Sequence, residues 1–348
     1  MVARKPLRKG WISLKTVCFI GLCGHAGTAV SAIADAPQEY KIIGICAGHD
    51  EDELTKLEGM ITRAGLPVPP RFEDYQEMLR TLQPDIAVVD GYFCDHAKMA
   101  AYALDLGIHV YCEKPVATTL EDLELLKASY ARAKEKGVHF AYMLTTRYDP
   151  WFYTAYKAME KGVIGEVRML NGQKSYKAGV RGPLYHNRAT YGGTIPWVGI
   201  HAIDWVLWFA GKKVKRITAA QSAIANGGNG TMEATAICLF EMEDEVIAHV
   251  NIDYLRPQAA PSHGDDRLRV AGTKGVIEAR LIDRKVYLIN EDGYQELELL
   301  TPPKIFADFV AGIDGKGDMP ITAEESFYGT EVCLKAQLAA DTGKTVEM

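Results

Sequence analysis

The feature that most constrains the fold is the alternation of two patterns through the first 145 residues. Short apolar runs of strand length are separated by segments with helical periodicity. The predicted strands are Thr16–Leu22, Lys41–Ala47, Asp85–Val89, His109–Cys112 and Val138–Met143. The predicted helices are Ala26–Ala36, Glu51–Ala64, Tyr75–Leu82, Ala97–Leu106 and Leu120–Lys136. Strands and helices that alternate at this spacing form a doubly wound α/β domain with a parallel sheet and right-handed crossovers.

After residue 150 the pattern changes to long runs of alternating hydrophobicity with few helices between them. The predicted strands are Val167–Tyr176, Val214–Ile224, Thr231–Met242, Glu245–Leu255, Leu268–Ala271, Val276–Leu281 and Lys285–Ile289. Helices are predicted at Trp151–Lys161, Trp197–Phe209, Ile305–Ile313 and Glu324–Ala340. Such a segment forms an open-faced, mostly antiparallel sheet, which suits a substrate wall or a subunit interface. We predict two domains, residues 1–145 and 146–348, with the last helices able to pack back on the first domain.

Length and composition fit this division and limit the partners. A chain of 348 residues is too long for one ordinary core, and 48% hydrophobic with 24% charged residues is typical of a folded globular protein. The net charge of −6 argues against nucleic acid or an anionic membrane as partner, so a small molecule is expected. No apolar run is long enough to span a bilayer. The basic first fifteen residues predict a solvated tail rather than a signal peptide.

The seven cysteines are scattered and odd in number, and none forms a CxxC pair. This usage indicates neither a disulfide framework nor a zinc site. Several cysteines lie inside apolar runs, which predicts buried, reduced thiols and a cytoplasmic location. No metal is predicted.

A glycine-containing loop follows the first predicted strand and opens the first helix. Its sequence is Gly21-Leu22-Cys23-Gly24-His25-Ala26-Gly27. Dinucleotide sites need small residues here because the pyrophosphate lies against the backbone at the helix N-terminus. Gly21 and Ala26 fill the first and last positions of GxGxxG/A, but Cys23 replaces the middle glycine. The loop therefore indicates either a rearranged phosphate site, formed by Gly21, Cys23, Gly24, His25 and Ala26, or a tight turn without a ligand.

The end of the second predicted strand bears on the choice of dinucleotide. An acidic residue there ordinarily holds the ribose hydroxyls of NAD. Asp50 stands a few residues beyond the strand, and no arginine is placed for the 2′-phosphate of NADP. The choice between NAD and NADP stays open.

Three ordered segments carry a resemblance to a known family. They are Asp85–His96 with Glu113-Lys114-Pro115, Thr146–Pro150 with Gly162–Val167, and Gly192–Asp204. In this order they resemble the glucose–fructose oxidoreductase / inositol dehydrogenase family, as does Leu268–Ile277. The resemblance implies a Rossmann domain, an antiparallel sheet domain that makes homodimers or homotetramers, and hydride exchange between NAD or NADP and a hydroxyl carbon. The substrate it implies is a sugar, cyclitol or related polyol.

The same resemblance implies a catalytic lysine, aspartate and histidine. Lys114 and His201 match, but Trp197 stands four residues before His201 where the family has its aspartate. Histidine suits the base role because its pKa lies near neutrality, and lysine can stabilise charge developing on the substrate oxygen. Asp204, one helical turn after His201, could orient the imidazole or contact the substrate. The resemblance further implies a cis Lys114-Pro115 bond and places four residues beside the cofactor, namely Gly91, Tyr92, His96 and Glu113.

A loop rich in donors and aromatic residues, Tyr176–Arg188, leads into the His201 segment. A substrate-lining loop would use cations and rings of this kind to bind hydroxyls or a carboxylate. The predicted substrate residues are Lys177, Arg181, Tyr185, Arg188, Arg147, Trp197, His201 and Asp204. A solvated loop or an oligomer contact is the alternative.

Three functions stay open from the sequence. The first is an NAD(P)-dependent dehydrogenase of a polyol, which Lys114 and His201 favour. The second is a glycosidase or lyase that uses bound NAD transiently. The third is a non-catalytic sensor or scaffold, which Cys23 and Trp197 favour.

Overall fold

The computed structural model describes residues 14–49 and 54–348. Most of the predicted basic tail, the first turn of the helix predicted from Glu51, and Asp50 lie outside these ranges. Within them, no helix is both long and apolar enough to cross a bilayer. All seven cysteines lie within them, and none is in a disulfide bond.

The N-terminal domain is built on a six-stranded parallel sheet. Its strands are β1 Lys15–Ile20, β2 Tyr40–Cys46, β3 Arg71–Phe72, β4 Ile86–Val89, β5 His109–Cys112 and β6 Phe140–Tyr142. Their order across the sheet is β3-β2-β1-β4-β5-β6, so the chain runs outward in both directions from β1. This is the doubly wound topology predicted from the sequence, and ligands in such sheets bind where the strand order reverses, at the carboxyl ends of β1 and β4.

Helices cover both faces of this sheet. They are α1 Gly27–Asp35, α2 Leu54–Arg63, α3 Tyr75–Leu82, α4 His96–Asp105 and α5 Leu120–Lys134. The first turn of α5 is stabilised as its sequence indicates, since Thr119 Oγ1 accepts the N–H of Asp122 and two acidic residues lie near the positive helix end. The two-residue β3 is too short for a recognisable hydrophobic run and was not predicted.

The second domain is built on a nine-stranded sheet. Its strands are β7 Val167–Ser175, β8 Val214–Ser222, β9 Thr235–Met242, β10 Ile247–Asp253, β11 Arg267–Gly272, β12 Gly275–Arg280, β13 Lys285–Asn290, β14 Gly293–Leu297 and β15 Val346–Glu347. Neighbours pair antiparallel as predicted, except that β7 and β10 pair parallel at the centre. Neither β14 nor β15 was predicted. One is mostly exposed and the other is only two residues long, so neither has an apolar run.

Five further helices accompany this sheet: α6 Pro150–Met159, α7 Arg188–Tyr191, α8 Ile200–Ala210, α9 Ile305–Ile313 and α10 Ala323–Thr342. The helix α8 packs against β7, where Gly172 lets the backbone of Ala202 approach. The helix α10 returns to the first domain, where Ser326 accepts the N–H of Tyr142 from β6. The two domains therefore share a buried junction, and the candidate catalytic residues lie in it.

Candidate active site

Lys114 lies in the turn that follows β5, and its side chain is only 2% exposed. The Lys114–Pro115 peptide bond is cis, as the family resemblance implies. Its Nζ donates a hydrogen bond to the backbone oxygen of Trp197 over 2.8 Å and lies 3.5 Å from a carboxylate oxygen of Glu113. Burial lowers the pKa of Lys114, and the nearby ammonium of Lys174 acts in the same direction.

The acceptor of this bond belongs to a short π-helical turn, Ile195–Gly199, which leads into α8. The sequence predicted an ordinary helix that begins at Trp197, within this segment. Turns of this kind have wider hydrogen-bond spacing and occur frequently at functional sites. Here the carbonyl oxygen of Trp197 accepts a hydrogen bond from the ammonium of Lys114, which belongs to the other domain.

His201 lies in the first turn of α8 and is 2% exposed. Its Nδ1 is 3.3 Å from the hydroxyl oxygen of Thr146, which also accepts the indole N–H of Trp205 over 3.1 Å. The ring of His201 meets the ring of His25 edge-on at 5.8 Å. Burial lowers the pKa of His201 well below 6.5, and the positive charges of Lys114, Lys174 and His25 add to this effect.

The glycine loop packs against the carboxyl end of β4. Gly21 has a φ of +81°, and a Cβ there would lie 2.5 Å from the carbonyl oxygen of Asp90, so only glycine fits. The backbone N–H of Cys23 donates to that same oxygen over 2.8 Å. The N–H of Ala26, at the start of α1, donates to the Asp90 carboxylate over 2.9 Å. Cys23 is accordingly part of an ordered turn even though it replaces the middle glycine.

Glu113 covers the other side of the loop. Its carboxylate accepts the backbone N–H of His25 over 3.3 Å and lies 2.9 Å from the Nδ1 of that residue. A Cβ on Gly24 would come within 2.5 Å of the Glu113 carboxyl carbon, so glycine is needed here for close packing. The N–H groups at this helix N-terminus hold the protein's own carboxylates, Glu113 and Asp90, which shows that the loop binds anions, as a dinucleotide pyrophosphate requires. The residues present fit such a cofactor.

The remaining residues predicted beside the cofactor hold the two loops together. His96 is fully buried, with Nδ1 2.8 Å from the carbonyl oxygen of Pro115 and Nε2 3.0 Å from that of Gly91. Tyr92 packs its ring against the ring of His49, just past β2. His96 thus joins the turn after β4 to the turn that carries Lys114. Asp50 lies outside the described residues, so its predicted ribose contact stays a prediction.

The structure corrects our expectation for Asp204. Its carboxylate accepts two hydrogen bonds from the guanidinium of Arg147 and one from the hydroxyl of Tyr142, each 2.7 Å long. Arg147 is 4% exposed and also donates to Glu325 on α10 over 2.8 Å. These bonds pair Asp204 with Arg147, and no hydrogen bond joins Asp204 to the imidazole of His201 among the described residues. Instead they join the domains.

The predicted substrate loop divides into two groups. Arg181 and Tyr185 lie with Trp197: the rings of Tyr185 and Trp197 are 4.4 Å apart, and the guanidinium of Arg181 is 5.2 Å from the Trp197 ring. Lys177 instead donates to the carbonyl oxygens of Gln258 and Ala260, and Arg188 forms ion pairs with Glu233 and Asp341. Arg181 and Tyr185 thus pack against Trp197, whereas Lys177 and Arg188 have structural partners.

Three charged residues at the site were missed. Asp90 directly follows β4, and its position at a strand end could have been noticed. Lys174 is two residues after Gly172 on β7, so strand alternation puts it on the buried face, where it pairs with Asp266. Asp149 immediately precedes Pro150 of α6 and lies inside the Thr146–Pro150 segment, but no role was predicted for it from the sequence.

Two family models match the chain. Residues 15–142 match the model described as "Oxidoreductase family, NAD-binding Rossmann fold", and residues 152–278 match the model described as "GFO/IDH/MocA C-terminal domain". A solved structure from Thermotoga maritima, described as an oxidoreductase, covers 96% of this chain and 100% of its own length. Its sequence identity is 44% and its TM-score is 0.91.

Curated relatives agree with these matches. "Uncharacterized oxidoreductase YrbE" of Bacillus subtilis is 28% identical over 206 residues, which are 58% of this chain and 57% of the relative. The chain therefore spans little more than half the length of that relative. "D-glucoside 3-dehydrogenase" of Escherichia coli is 24% identical over 330 residues, which are 89% of this chain and 91% of the relative. The chain belongs to the GFO/IDH/MocA family of oxidoreductases, and its N-terminal domain is an NAD-binding Rossmann domain.

Proposed function

We propose that this protein transfers a hydride between a nicotinamide dinucleotide and a hydroxyl carbon of a sugar, cyclitol or related polyol. The observation that carries this proposal is the meeting of Lys114 and His201 in one buried junction, next to the anion-binding loop at the end of β1. The dehydrogenase relative acting on D-glucosides supports the substrate class. When bound, the nicotinamide supplies the hydride acceptor or donor.

His201 serves as the proton acceptor when the hydroxyl is oxidised. Because its pKa lies well below 6.5, the imidazole is neutral at pH 7 and able to take up a proton. Thr146 holds the ring, since its oxygen accepts the N–H of Trp205 and lies 3.3 Å from Nδ1 of His201. We propose that Nδ1 donates its proton to this oxygen, which leaves Nε2 to accept the proton of the substrate hydroxyl.

Lys114 orients the substrate oxygen and stabilises the negative charge that develops on it. A buried ammonium is well suited to this because its field is little screened by water. The hydrogen bond to the Trp197 carbonyl fixes the direction of the side chain. The rings of Trp197 and Tyr185 then offer an apolar face for the sugar ring, and the guanidinium of Arg181 lies over the same rings.

We also propose that the protein works in the cytoplasm as a homodimer or homotetramer that pairs the open face of its nine-stranded sheet. This face carries apolar side chains that are about half exposed, among them Met169 (46%), Ile237 (51%) and Ile247 (48%). The absence of disulfide bonds among the seven cysteines suits a reducing compartment. Light scattering of the purified protein tests the assembly. A strictly monomeric particle would contradict it, and charged substitutions at Ile237 and Met169 should dissociate an oligomer.

The function is tested by titrating NADH and NADPH into the protein while tryptophan fluorescence is followed. NAD-linked oxidation of D-glucosides, inositols and related polyols is then assayed. We expect one cofactor to bind and at least one polyol to be oxidised. Lys114→Met should lower turnover by about 10²- to 10³-fold without abolishing NADH binding, whereas Lys136→Met, at an exposed position, should change neither. Failure of both cofactors to bind at millimolar concentration would refute the proposal. Tightly retained cofactor without net reduction would instead favour the glycosidase or lyase alternative.

A further inference from the structure

Asp149 is the carboxylate at the candidate site whose role the structure leaves open. It stands immediately before α6, in the position where an aspartate ordinarily caps the helix, yet its side chain makes no capping hydrogen bond. Among the described residues, no donor reaches its carboxylate, and the residue is only partly buried. A partly buried carboxylate with no donor from the chain is open to hydrogen bonds from water or from a ligand.

The other carboxylates near the site have partners. Glu113 accepts from His25, Asp204 accepts from Arg147 and Tyr142, and Asp266 pairs with Lys174. Asp90 accepts the N–H of Ala26. Asp149 differs from these four carboxylates in that no hydrogen bond from a described residue reaches either of its oxygens, so both can accept from a ligand.

The backbone puts Asp149 on the same side of its turn as Thr146, the residue that lies beside His201. The 3₁₀ turn Thr145–Tyr148 ends with the N–H of Asp149 donating to the carbonyl of Thr146 over 3.2 Å. In such a turn the side chains of residues three apart lie on the same side. The hydroxyl of Thr146 lies 3.3 Å from Nδ1 of His201. The side of the turn that carries Thr146 and Asp149 is therefore the side that faces this histidine.

The charges around Asp149 agree with this location. Lys174 and Asp266 act on it from the sheet domain, and His25 acts on it from the cofactor loop of the other domain. Burial raises the pKa of Asp149 to about 7, and the two cations oppose that rise. A group influenced from both domains in this way faces the cleft between them.

We propose that Asp149 binds a second hydroxyl of the polyol, next to the hydroxyl carbon that is oxidised beside His201. This rests on the proposed function and adds a substrate class, namely polyols with adjacent hydroxyls. Two hydroxyl groups bound at once, one by His201 and Lys114 and one by Asp149, fix the oxidised carbon. Trp197 stands where the family has its aspartate, and an indole has no carboxylate. In our proposal Asp149 supplies the carboxylate of the site instead.

The test uses Asp149→Asn, which keeps the size of the side chain and its ability to cap α6. For a polyol that the wild type oxidises, kcat/KM should fall about 10- to 100-fold, the range expected for one hydrogen bond to a charged group. The affinity of the variant for NADH should equal that of the wild type. The matched control is Asp74→Asn, at an aspartate that does cap its helix, α3, through the N–H of Glu77 over 2.7 Å, and activity should be unaffected.

Two further readouts separate substrate binding from a structural role. The wild type should prefer the polyol over its analogue lacking the neighbouring hydroxyl, and Asp149→Asn should lose that preference. Since the ionised carboxylate is the form that accepts the hydroxyl, kcat/KM of the wild type should rise with pH through about 7, and this limb should be absent from Asp149→Asn. An active wild type whose Asp149→Asn variant retains full activity and the same preference would overturn the assignment.

Infrared spectroscopy provides a test that needs no turnover. The difference between wild type and Asp149→Asn isolates the carbonyl stretch of the protonated acid, which should titrate with a midpoint near 7. Adding myo-inositol to the NADH-saturated protein should lower the midpoint, because hydroxyl donors favour the ionised form. If no polyol is oxidised, the proposed function fails while a polyol-dependent shift still supports the assignment. If neither myo-inositol nor a D-glucoside shifts the midpoint, the assignment fails.

Discussion

Lys114 donates its hydrogen bond to the backbone oxygen of Trp197, over 2.8 Å, rather than to any side chain of that segment. The lysine follows β5 of the first domain, and the tryptophan lies in the π-helical turn before α8 of the second. The bond therefore joins the two halves of the site. A main-chain acceptor is present whatever side chain stands at position 197, so replacing the family's aspartate leaves the lysine anchored.

This anchoring predicts different outcomes for two substitutions of Trp197. The indole is 7% exposed and packs among the rings of Tyr185, Tyr254 and Phe93. Trp197→Phe should cost about 1–3 kcal/mol of stability through the cavity it leaves, while folded enzyme keeps most of its turnover. Trp197→Asp should cost about 3–5 kcal/mol or more, since it also buries a carboxylate. Urea denaturation and turnover per folded molecule give the comparison. Loss of turnover in a folded Trp197→Phe protein would show that the indole acts directly.

Thr146 should control the base through its hydroxyl. Thr146→Val keeps the shape but removes the acceptor of the Trp205 N–H and the partner of His201 Nδ1. We expect turnover to fall at least about tenfold, because the tautomer with a free Nε2 is no longer selected. Stability should fall by about 1–3 kcal/mol from the unpaired indole N–H. Thr146→Ser retains the oxygen and should restore both. If Thr146→Val is destabilised but as active as Thr146→Ser, the role of Thr146 is structural and not catalytic.

The alternation of strands and helices predicted the first sheet, and the alternation of apolar and polar residues within strands predicted the second. Both patterns can be read from neighbouring residues in the sequence. The residue pairs across the domain junction were not predictable in that way. Asp204 was expected to act on its own helix, on His201, but its partner Arg147 lies 57 positions earlier in the chain. Only the three-dimensional packing of α8 against the turn after β6 brings the two together.

The burial of Lys174 could have been predicted from the alternation of residues along its strand. Leu170, Gly172 and Lys174 alternate along β7 and all three are buried. A lysine on the buried face of a strand requires an anionic partner, so an aspartate could have been expected opposite it. Which aspartate it would be, Asp266 or another, depends on the pairing of β7 with β11, and no local pattern encodes that pairing.

The pair formed by Arg147 and Asp204 should matter for stability. Asp204→Asn leaves the guanidinium buried without its counter-charge, and we expect a loss of about 3–5 kcal/mol in the free energy of unfolding. Asp308→Asn is the matched control. That carboxylate accepts one hydrogen bond, from Tyr148 over 2.8 Å, so the expected loss is about 1 kcal/mol. At temperatures where Asp204→Asn is folded, its KM for the polyol should equal that of the wild type. If Asp204→Asn raises the KM for the polyol and leaves the stability unchanged, Asp204 binds the substrate.

The last prediction concerns the close packing of Gly24 on Glu113. A methyl group on Gly24 would lie 2.5 Å from the carboxyl carbon of a glutamate that is fully buried and held by His25, so Glu113 or the loop must move. We expect Gly24→Ala to weaken NADH binding by about tenfold or more, equivalent to about 1.4 kcal/mol, because the N–H groups of the loop lose their alignment. Fluorescence titration measures the affinity.

Gly59→Ala is the control for this substitution, since Gly59 lies inside α2 and its added methyl meets only the guanidinium end of Arg63 at 3.2 Å. It should leave NADH affinity unchanged and stabilise the protein by up to about 1 kcal/mol. A double-mutant cycle then identifies the cause. Glu113→Ala removes the group that the new methyl would strike, so Gly24→Ala should add little to the loss already caused by Glu113→Ala. Fully additive losses would mean that Gly24 acts on the cofactor independently of Glu113.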